Sequence, residues 1–385
     1  MLLLNKEEAL ARVASSHSVG GPNETFVLNL GPQHPATHGV LRVKLTMDGE
    51  FIHKAECVIG YIHRMHEKMG ENRTCVQFLP NTSRLDYLSA MQYTHAWCGA
   101  VERACKIEVP QRAEYIRVVT SELNRIASHL VGWGAWVMDL GGLTPILYAF
   151  DDREKILDLL EGICGARLTF CYYRIGGVVN DIDDSFIQGA RAFVPYMRER
   201  LKMYKDFVTD NVILRKRLEG IGIVDRDTCL RYGACGPVIR GSGIANDTRR
   251  TEPYSVYHEF DYEIPVYQEC DSMARYLVRM DEMEQSLRII EQALAKLPDG
   301  PFINPKVPRI LKVPAGDTTY ATEAARGRFM VRLVTDGTDT PYRVKLRTPC
   351  LSNLSLAEEV CEGMLLADAI AFLGSLDLVI PDIDR

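Results

Sequence analysis

The sequence predicts an α+β protein that is mainly α, namely a long-helix bundle with a small N-terminal β unit and a mixed β/helix C-terminal tail. Three observations predict this class. Apolar residues recur three and four positions apart in several long segments, as in amphipathic helices. An Asp48-Gly49 pair between two strand-like segments is typical of a β-hairpin turn. A proline-rich connector at 301–314 is followed by two short strand patterns around Asp336-Gly337.

The chain is expected to divide near residue 80. Residues 1–80 are predicted to hold an N-terminal helix and a β-rich region with a histidine loop, with strands at 25–30 and 41–59. Residues 81–385 are predicted to form the helical bundle and its tail. The long helices of the bundle are expected at 84–106, 112–138, 152–170, 185–210 and 272–295. The tail is expected to add two strands and a last helix, at 328–334, 342–346 and 356–373.

Composition and charge narrow the function classes. The 385 residues carry a formal net charge of −6, and the sequence pI is about 5.9. Nucleic-acid binding needs a basic face, which argues against nucleic acid as the main partner. The eleven cysteines are odd in number and irregularly spaced, and the apolar run at the start is too short for a signal peptide. We therefore expect free thiols and a cytosolic chain.

One segment is apolar enough to need a membrane test. Residues 130–150 contain a single charge, Asp139. A carboxylate near the centre of a membrane helix costs roughly 2.5 to 3.5 kcal/mol, and Gly141, Gly142 and Pro145 interrupt helix propagation. We therefore expect a buried helix that ends near Asp139 and turns through the glycine pair. A carboxylate in such apolar surroundings must be partnered or protonated, which makes Asp139 a site candidate.

The cysteine spacing argues against a metal site in this chain. No two cysteines form a C-x-x-C pair. Structural zinc sites and iron–sulfur clusters usually include such a close pair, which sets the bite of two thiolates on one ion. Cys98 and Cys105, like Cys164 and Cys171, are about two helical turns apart, which suits small buried side chains on one helix face. We expect that this chain binds no metal itself.

Three short segments carry candidate functional side chains. The loop GPQHPATHG is stiffened by two prolines and presents His34 and His38. The segment RLDYLS places Tyr87 at the head of a long helix. The segment at 61–68, YIHRMHEK, is dense in titratable groups. Each has a structural alternative: turn histidines, a core tyrosine with a satisfied hydroxyl, and a solvated loop.

The order of motifs along the chain resembles a known family. From about residue 25 to Arg385 the motifs are GPQHPATHGVLR, RLDYLS, AEYIRVVTSELNRIASHL, MDLGGLTPILYAF, YYRIGGV, SGIANDTRR with PYSVY, PYRVKLR and GSLDLVIPDIDR. Together they resemble the 49 kDa (D-type) subunit of respiratory complex I. A series of long motifs in one order is highly specific.

The resemblance implies a fold shared with the large subunit of nickel–iron hydrogenases. Those proteins hold their metal through two C-x-x-C pairs, one near each end of the chain. At the first position, 72–77, this sequence has only Cys75, and at the second, 377–380, it has no cysteine. The resemblance therefore implies a hydrogenase-derived scaffold that has lost its metal site.

In the family, the vacated cavity receives the head group of ubiquinone or menaquinone. It lies at the contact with a small (B-type) subunit that carries a tetranuclear iron–sulfur cluster. The resemblance implies that His38 and Tyr87 are the head-group ligands and that Asp139 pairs with the histidine. Arg64 matches an arginine close to the partner's cluster, and His34 is expected to have a structural role. The C-type subunit and the membrane-arm subunits are the further partners implied.

The sequence departs from the family pattern at three places. The family's HRGxEK is HRMHEK here, so Met65 replaces a glycine. Many members have a histidine just before the RIGGV motif, where this chain has LTFC, with Thr169. Between Arg309 and Arg326 the chain lacks a helical insertion of longer relatives. This short form resembles members of deazaflavin- or ferredoxin-linked complexes and of the photosynthetic counterpart, as well as some bacterial ones, so the electron donor stays open.

The function expected from the resemblance is that of a quinone-binding, peripheral-arm subunit of a proton-translocating oxidoreductase. The donor is NADH or another reductant; no G-x-G-x-x-G follows a strand, so NADH would bind another subunit. The complex is expected on the cytoplasmic side of a bacterial or archaeal cell membrane. The alternative is a non-catalytic scaffold in a related hydrogenase or a ferredoxin- or deazaflavin-linked membrane complex. A true hydrogenase would need C-x-x-C pairs, and an autonomous enzyme would need a cofactor motif.

Overall fold

The computed structural model describes residues 25–34 and 39–385. Helices dominate this part of the chain, and its strands form one two-stranded and two three-stranded antiparallel sheets. The predicted class, α+β and mainly α, is confirmed. The predicted N-terminal helix lies outside the described residues, as does His38 in the loop at 35–38.

A three-stranded sheet forms the front of the molecule, with β1 (Phe26–Leu30), β2 (Arg42–Asp48) and β3 (Phe51–Val58). Every second residue of β2 from Val43 to Met47 is buried, so this strand turns one face to the core as its alternation predicts. β2 and β3 are joined by Gly49 and Glu50, directly after Asp48, and Gly49 has a φ of 60°. Glycine adopts that left-handed backbone without steric cost. The predicted hairpin is confirmed.

The first half of the bundle contains α1 (His66–Glu71), α2 (Cys75–Thr82), α3 (Ala90–Cys105), α4 (Gln111–Asp139) and α5 (Leu143–Cys164). α4 ends at Asp139, and the chain then turns through Gly141 with a φ of 97°, so the predicted helix end is confirmed. α5 begins earlier than the predicted residue 152. The reason is that Pro145 lies in its first turn, where a missing N–H leaves no helical hydrogen bond unmade.

The chain then returns through shorter helices to one more long helix. A two-residue hairpin, β4 (Tyr173–Arg174) and β5 (Gly177–Val178), precedes α6 (Asp184–Tyr204), which continues as a π-helical turn (Lys205–Thr209). There follow α7 (Val212–Leu218), α8 (Arg226–Tyr232), α9 (Pro237–Arg240), α10 (Thr248–Thr251), a 3-10 turn (Tyr257–Glu259) and α11 (Ser272–Ala295). α11 packs on α4 and α6 and has the predicted bounds.

The tail contains a second three-stranded sheet and four short helices within the described chain. These are β6 (Gly316–Ala324), β7 (Gly327–Thr335), β8 (Arg343–Arg347), α12 (Pro349–Leu354), α13 (Ala357–Val360), α14 (Leu366–Leu376) and α15 (Ile380–Asp384). The two predicted strands are confirmed, and β6 was missed. The predicted continuous helix over 356–373 is wrong. Gly363, with a φ of 80°, breaks it, and its N–H bonds the carbonyl of Ile52 on β3 at 2.7 Å.

Two groups of buried apolar side chains form the interior. The larger lies among the long helices and includes Trp97, Trp133 and Trp136. The smaller joins the N-terminal sheet to the tail helices, with Leu45 and Phe372 among its members. In the described ranges, no helix is both long and apolar enough to cross a membrane.

Candidate functional site

The histidine loop and α4, which carry predicted site residues, both contact the C-terminal segment 377–385. Gly39, which closes the histidine loop, packs so closely that a Cβ on it would lie 2.7 Å from Cγ1 of Ile380. Gly132 of α4 packs against Asp377, and a Cβ there would lie 2.5 Å from the Asp377 Oδ1 atom. The histidine loop and the helix that ends at Asp139 therefore both rest on this segment.

A buried arginine connects the same segment to the neighbour of Tyr87. The Arg326 guanidinium bonds Asp86 at 3.1 Å, Asp377 at 3.0 Å and the Ser128 hydroxyl at 2.9 Å. Burial by itself would lower the pKa of Arg326, but the carboxylates of Asp377 and Asp86 raise it above its ordinary value. This cluster was not predicted. Asp86 lies in the RLDYLS motif and Asp377 in GSLDLVIPDIDR, but nothing in either motif shows that Arg326 binds both carboxylates.

Tyr87 lies between α2 and α3, half-buried against the smaller apolar group. Within the described part of the chain its hydroxyl makes no hydrogen bond, so Tyr87 and Asp139 are not bonded to each other. Burial raises the pKa of Tyr87 above its ordinary value, although Arg326 acts in the opposite direction. The phenol of Tyr87 therefore keeps its proton at neutral pH.

Another buried carboxyl, Asp382 of α15, was not predicted as a site residue. Its Oδ1 atom accepts a hydrogen bond from the Tyr93 hydroxyl at 2.5 Å, and its Oδ2 atom accepts one from the Cys350 backbone N–H at 3.0 Å. Burial raises the pKa of Asp382 to about 7, and the neighbouring Asp86 carboxylate acts in the same direction. Asp382 therefore holds a proton more readily than an ordinary aspartate does.

The histidine loop is described only at its two ends. His34 is exposed and forms an isolated antiparallel bridge with Gly39 across residues 35–38, which lie outside the described ranges. Gly31 begins the loop with a φ of 89°, and a Cβ there would lie 2.0 Å from the Leu41 carbonyl oxygen. The loop ends are thus held together, and His38 falls between them.

Asp139 lies half-buried at the C-terminal end of α4, beside a cavity of about 320 Å³. The cavity is lined mainly by apolar side chains and backbone, among them Leu140, Gly142, Pro145, Phe207 and Ile213. Asp139 is about two helical turns, roughly 10 Å, beyond Gly132 along the axis of α4. It therefore lies at the edge of the convergence on 377–385 rather than at its centre.

Arg64 is exposed on the loop between β3 and α1. Asp384 anchors this loop, since its two carboxylate oxygens accept the N–H groups of Gly60 and Ile62, each at 2.8 Å. Met65, which replaces the family's glycine, has a φ of 54° and a ψ of 40°. The backbone thus keeps a conformation that glycine favours, and methionine adopts it at some cost.

Neither position at which the hydrogenase pattern would have a C-x-x-C pair holds one in this chain. Cys75 is buried in the first turn of α2, and burial raises the pKa of its thiol to about 12. At the other position, Asp377 is paired with Arg326. No group of three or more histidine, cysteine or acidic side chains that could hold a metal ion occurs in 25–34 and 39–385.

Comparison with known proteins identifies the family. The family described as "Respiratory-chain NADH dehydrogenase, 49 Kd subunit" matches residues 139–311 and 305–385. The chain belongs to this family. A D-type subunit of NADH-quinone oxidoreductase from Opitutus terrae, the one numbered 2, is 71% identical over 376 residues, which cover 97% of this chain and 94% of the relative.

Further members of the 49 kDa subunit family are similar over nearly their whole length. The D-type subunit of NADH-quinone oxidoreductase from Desulfotalea psychrophila is 67% identical over 371 residues, covering 96% of this chain and all of the relative's length, 100%. Its counterpart of the same name from Geobacillus thermodenitrificans is 49% identical over 362 residues, covering 94% of this chain and 99% of the relative. The family membership predicted from the motifs is confirmed.

Proposed function

We propose that this chain is the D-type subunit of an NADH-quinone oxidoreductase of the complex I type and provides the head-group site for quinone. The names of the relatives support the reaction. The convergence of the histidine loop, α4 and the Tyr87 segment on 377–385 supports the site. The half-buried Tyr87 hydroxyl, without a hydrogen bond to the described residues, is the observation that carries the proposal.

The proposed ligands match the chemistry of quinone reduction. The reaction takes two electrons and two protons, and negative charge builds up on the two carbonyl oxygens. The hydroxyl of Tyr87 and a ring N–H of His38 donate hydrogen bonds to those oxygens and supply protons. Because burial raises the pKa of Tyr87, its proton stays in place until the substrate oxygen becomes the stronger base.

Asp139 is proposed to act on the histidine. A carboxylate beside His38 raises that histidine's affinity for a proton and becomes unpaired once the proton leaves. Such a charge change can bias loops that face the membrane subunits, and this is the coupling step we propose. An Asp139→Asn variant that keeps both quinone reduction and proton pumping intact would remove this step from the proposal.

Arg64 is proposed to face the partner that delivers electrons. We assign a tetranuclear iron–sulfur cluster on a B-type small subunit to the side of Arg64, where a cation favours the reduced, more negative cluster. The exposed position of Arg64 on an anchored loop supports this contact. The C-type subunit and the membrane-arm subunits are the other proposed partners. The substrate is ubiquinone or menaquinone, and the complex is proposed to face the cytoplasm.

The scaffold alternative has less support. It would make the chain a non-catalytic part of a hydrogenase-related or a ferredoxin- or deazaflavin-linked membrane complex. The three relatives described above all carry the NADH-quinone oxidoreductase name. A scaffold would also have no use for a protonated tyrosine that makes no hydrogen bond to the described residues.

The test is quinone reduction by membranes that carry Tyr87→Phe in this chain. We expect most of the activity to be lost in an assembled complex, because the ring stays and only the donor is removed. Assembly is checked by co-purification of the B-type subunit. Tyr342→Phe is the matched control, since Tyr342 is 71% exposed and should leave activity unchanged. Full activity of the Tyr87 variant would show that the head group binds elsewhere.

A further inference from the structure

The turn that carries Tyr87 leads into α3 without a side-chain cap of its own. Tyr87 is the second residue of the turn 86–89, and Ser89 is the N-cap residue of α3. Within this described segment, the Ser89 hydroxyl accepts no N–H group of the first helical turn. Such N–H groups need a partner from outside the helix, and Ser89, Ala90 and Met91 are fully buried, away from bulk water. The start of α3 therefore depends on side chains of other elements.

Asn124 of α4 supplies this partner. Its Oδ1 atom accepts the Met91 N–H at 3.1 Å, and its amide nitrogen donates to the Leu88 carbonyl oxygen at 2.9 Å. These two bonds fix the orientation of the amide, because an N–H group requires an acceptor and a carbonyl oxygen requires a donor. Asn124 is 1% exposed, so both bonds are shielded from water. One side chain thus holds the backbone directly after Tyr87 and the first turn of α3.

Asp86 holds the backbone on the other side of Tyr87. Its Oδ1 atom accepts the N–H groups of Leu88 and Ser89, at 3.1 and 3.2 Å. The Arg326 guanidinium in turn holds this carboxylate at 3.1 Å. The phenol ring packs against the smaller apolar group of the interior. Buried polar contacts therefore fix the backbone around Tyr87, whereas its hydroxyl makes no hydrogen bond to the described residues.

We propose that Asn124 is a positioning residue for quinone reduction, which holds the turn 86–89 so that the Tyr87 phenol meets a carbonyl oxygen of the head group. This inference rests on the proposed function. A hydrogen bond between two oxygens needs them about 2.5 to 3.0 Å apart, so a shift of about 1 Å breaks it. Without Asn124, the Leu88 carbonyl and the Met91 N–H lose their partner in a buried place, which is costly. The turn then moves to restore these bonds, and the phenol moves with it.

The test is a double-mutant cycle on the assembled complex, with Asn124→Ala and Tyr87→Phe. Binding is measured by titration with a short-chain ubiquinone or menaquinone, whichever the parent membranes reduce faster. One neutral hydrogen bond contributes roughly a two- to tenfold factor to affinity. We expect each single variant to weaken binding by roughly that factor. We expect the double variant to bind as Tyr87→Phe alone does, because no hydroxyl is left to position.

A second variant and a control complete the design. If Asn124→Ala does not assemble, Asn124→Ser takes its place, since the serine hydroxyl can still serve either the Leu88 carbonyl or the Met91 N–H, and the same pattern is expected. Asn304→Ala is the matched control. The Asn304 amide also donates to one backbone carbonyl and accepts one backbone N–H, at 2.8 and 2.9 Å, but neither belongs to the Tyr87 turn. This control should leave quinone binding unchanged.

The outcomes separate this inference from the function on which it rests. If the Asn124 variant weakens binding by the same factor with and without the Tyr87 hydroxyl, Asn124 has only a structural role. The inference is then overturned, and the quinone site stands. Unchanged binding by the Asn124 variant with Tyr87 present would overturn it as well. If Tyr87→Phe neither weakens binding nor lowers activity, the proposed site itself fails.

Discussion

Removing the shared cation next to the candidate site should destabilise the chain strongly. Arg326 is buried, and its guanidinium pairs with both Asp86 and Asp377. Replacing it with methionine keeps much of the volume but removes the cation that the two buried carboxylates share. Breaking one buried ion pair costs about 3 to 5 kcal/mol. Total stabilities are about 5 to 15 kcal/mol, so Arg326→Met should remove a large fraction of the free energy of unfolding.

Protonation of a buried carboxylate limits how much of the free energy of unfolding Arg326→Met can remove, and this limit depends on pH. A buried carboxylate that loses its cation can be neutralised by protonation, which costs about 4 kcal/mol at pH 7 for an ordinary aspartate. Protonation becomes cheaper in acid, so the destabilisation is expected to be full at neutral and alkaline pH and to shrink as the solution is made acidic.

Urea unfolding measures this effect directly. The buried residues Trp97, Trp133 and Trp136 report unfolding by fluorescence. The matched control is Arg343→Met, since Arg343 is exposed and its pair with Glu71 at 2.7 Å contributes at most about 1 kcal/mol. Equal stability of the Arg326 variant and the parent, or a loss that does not shrink in acid, would refute the reasoning.

Three local contacts are also open to test by substitution. Met65→Gly should leave the free energy of unfolding unchanged or raise it by up to about 1 kcal/mol. The reason is that removing the strain of a left-handed methionine backbone matches or exceeds the conformational-entropy cost of ordering a glycine. Urea unfolding midpoints measure this difference, and a clear loss of stability would contradict the prediction. Gly374→Ala should cost about 1 to 3 kcal/mol, because its Cβ would lie 2.3 Å from Cδ1 of Trp136; an unchanged midpoint would count against this packing. Asp384→Asn should speed hydrogen exchange at the Gly60 and Ile62 amides, since the amide oxygen can replace only one carboxylate acceptor; unchanged exchange would contradict the anchor.

Periodicity predicted the long helices because their burial is strongly one-sided or complete. The bounds of α11 and the end of α4 at Asp139 both followed from local signals, namely apolar spacing and a glycine turn. The broken helix near Gly363 could not be predicted in the same way. Its cause is a hydrogen bond to Ile52, more than three hundred positions away, and no local pattern contains such a contact.

In the candidate site, too, local motifs could be predicted from the sequence and long-range contacts could not. Motifs predicted Tyr87 and Asp139 as site candidates, but not the cluster of Arg326 with Asp86 and Asp377 beside Tyr87. Arg326 joins these two carboxylates only after the tail returns to the Tyr87 segment. A sequence pattern shows the residue types but not which buried charges share a partner, because long-range packing decides that.

The most direct test of the quinone site is a structure of the assembled complex with a quinone bound. We expect one carbonyl oxygen of the head group within hydrogen-bond distance of the Tyr87 hydroxyl, about 2.5 to 3.0 Å. We expect the other carbonyl oxygen to face the histidine loop that closes at Gly39. A head group bound away from Tyr87, with no hydrogen bond between the quinone and the phenol, would contradict the central claim.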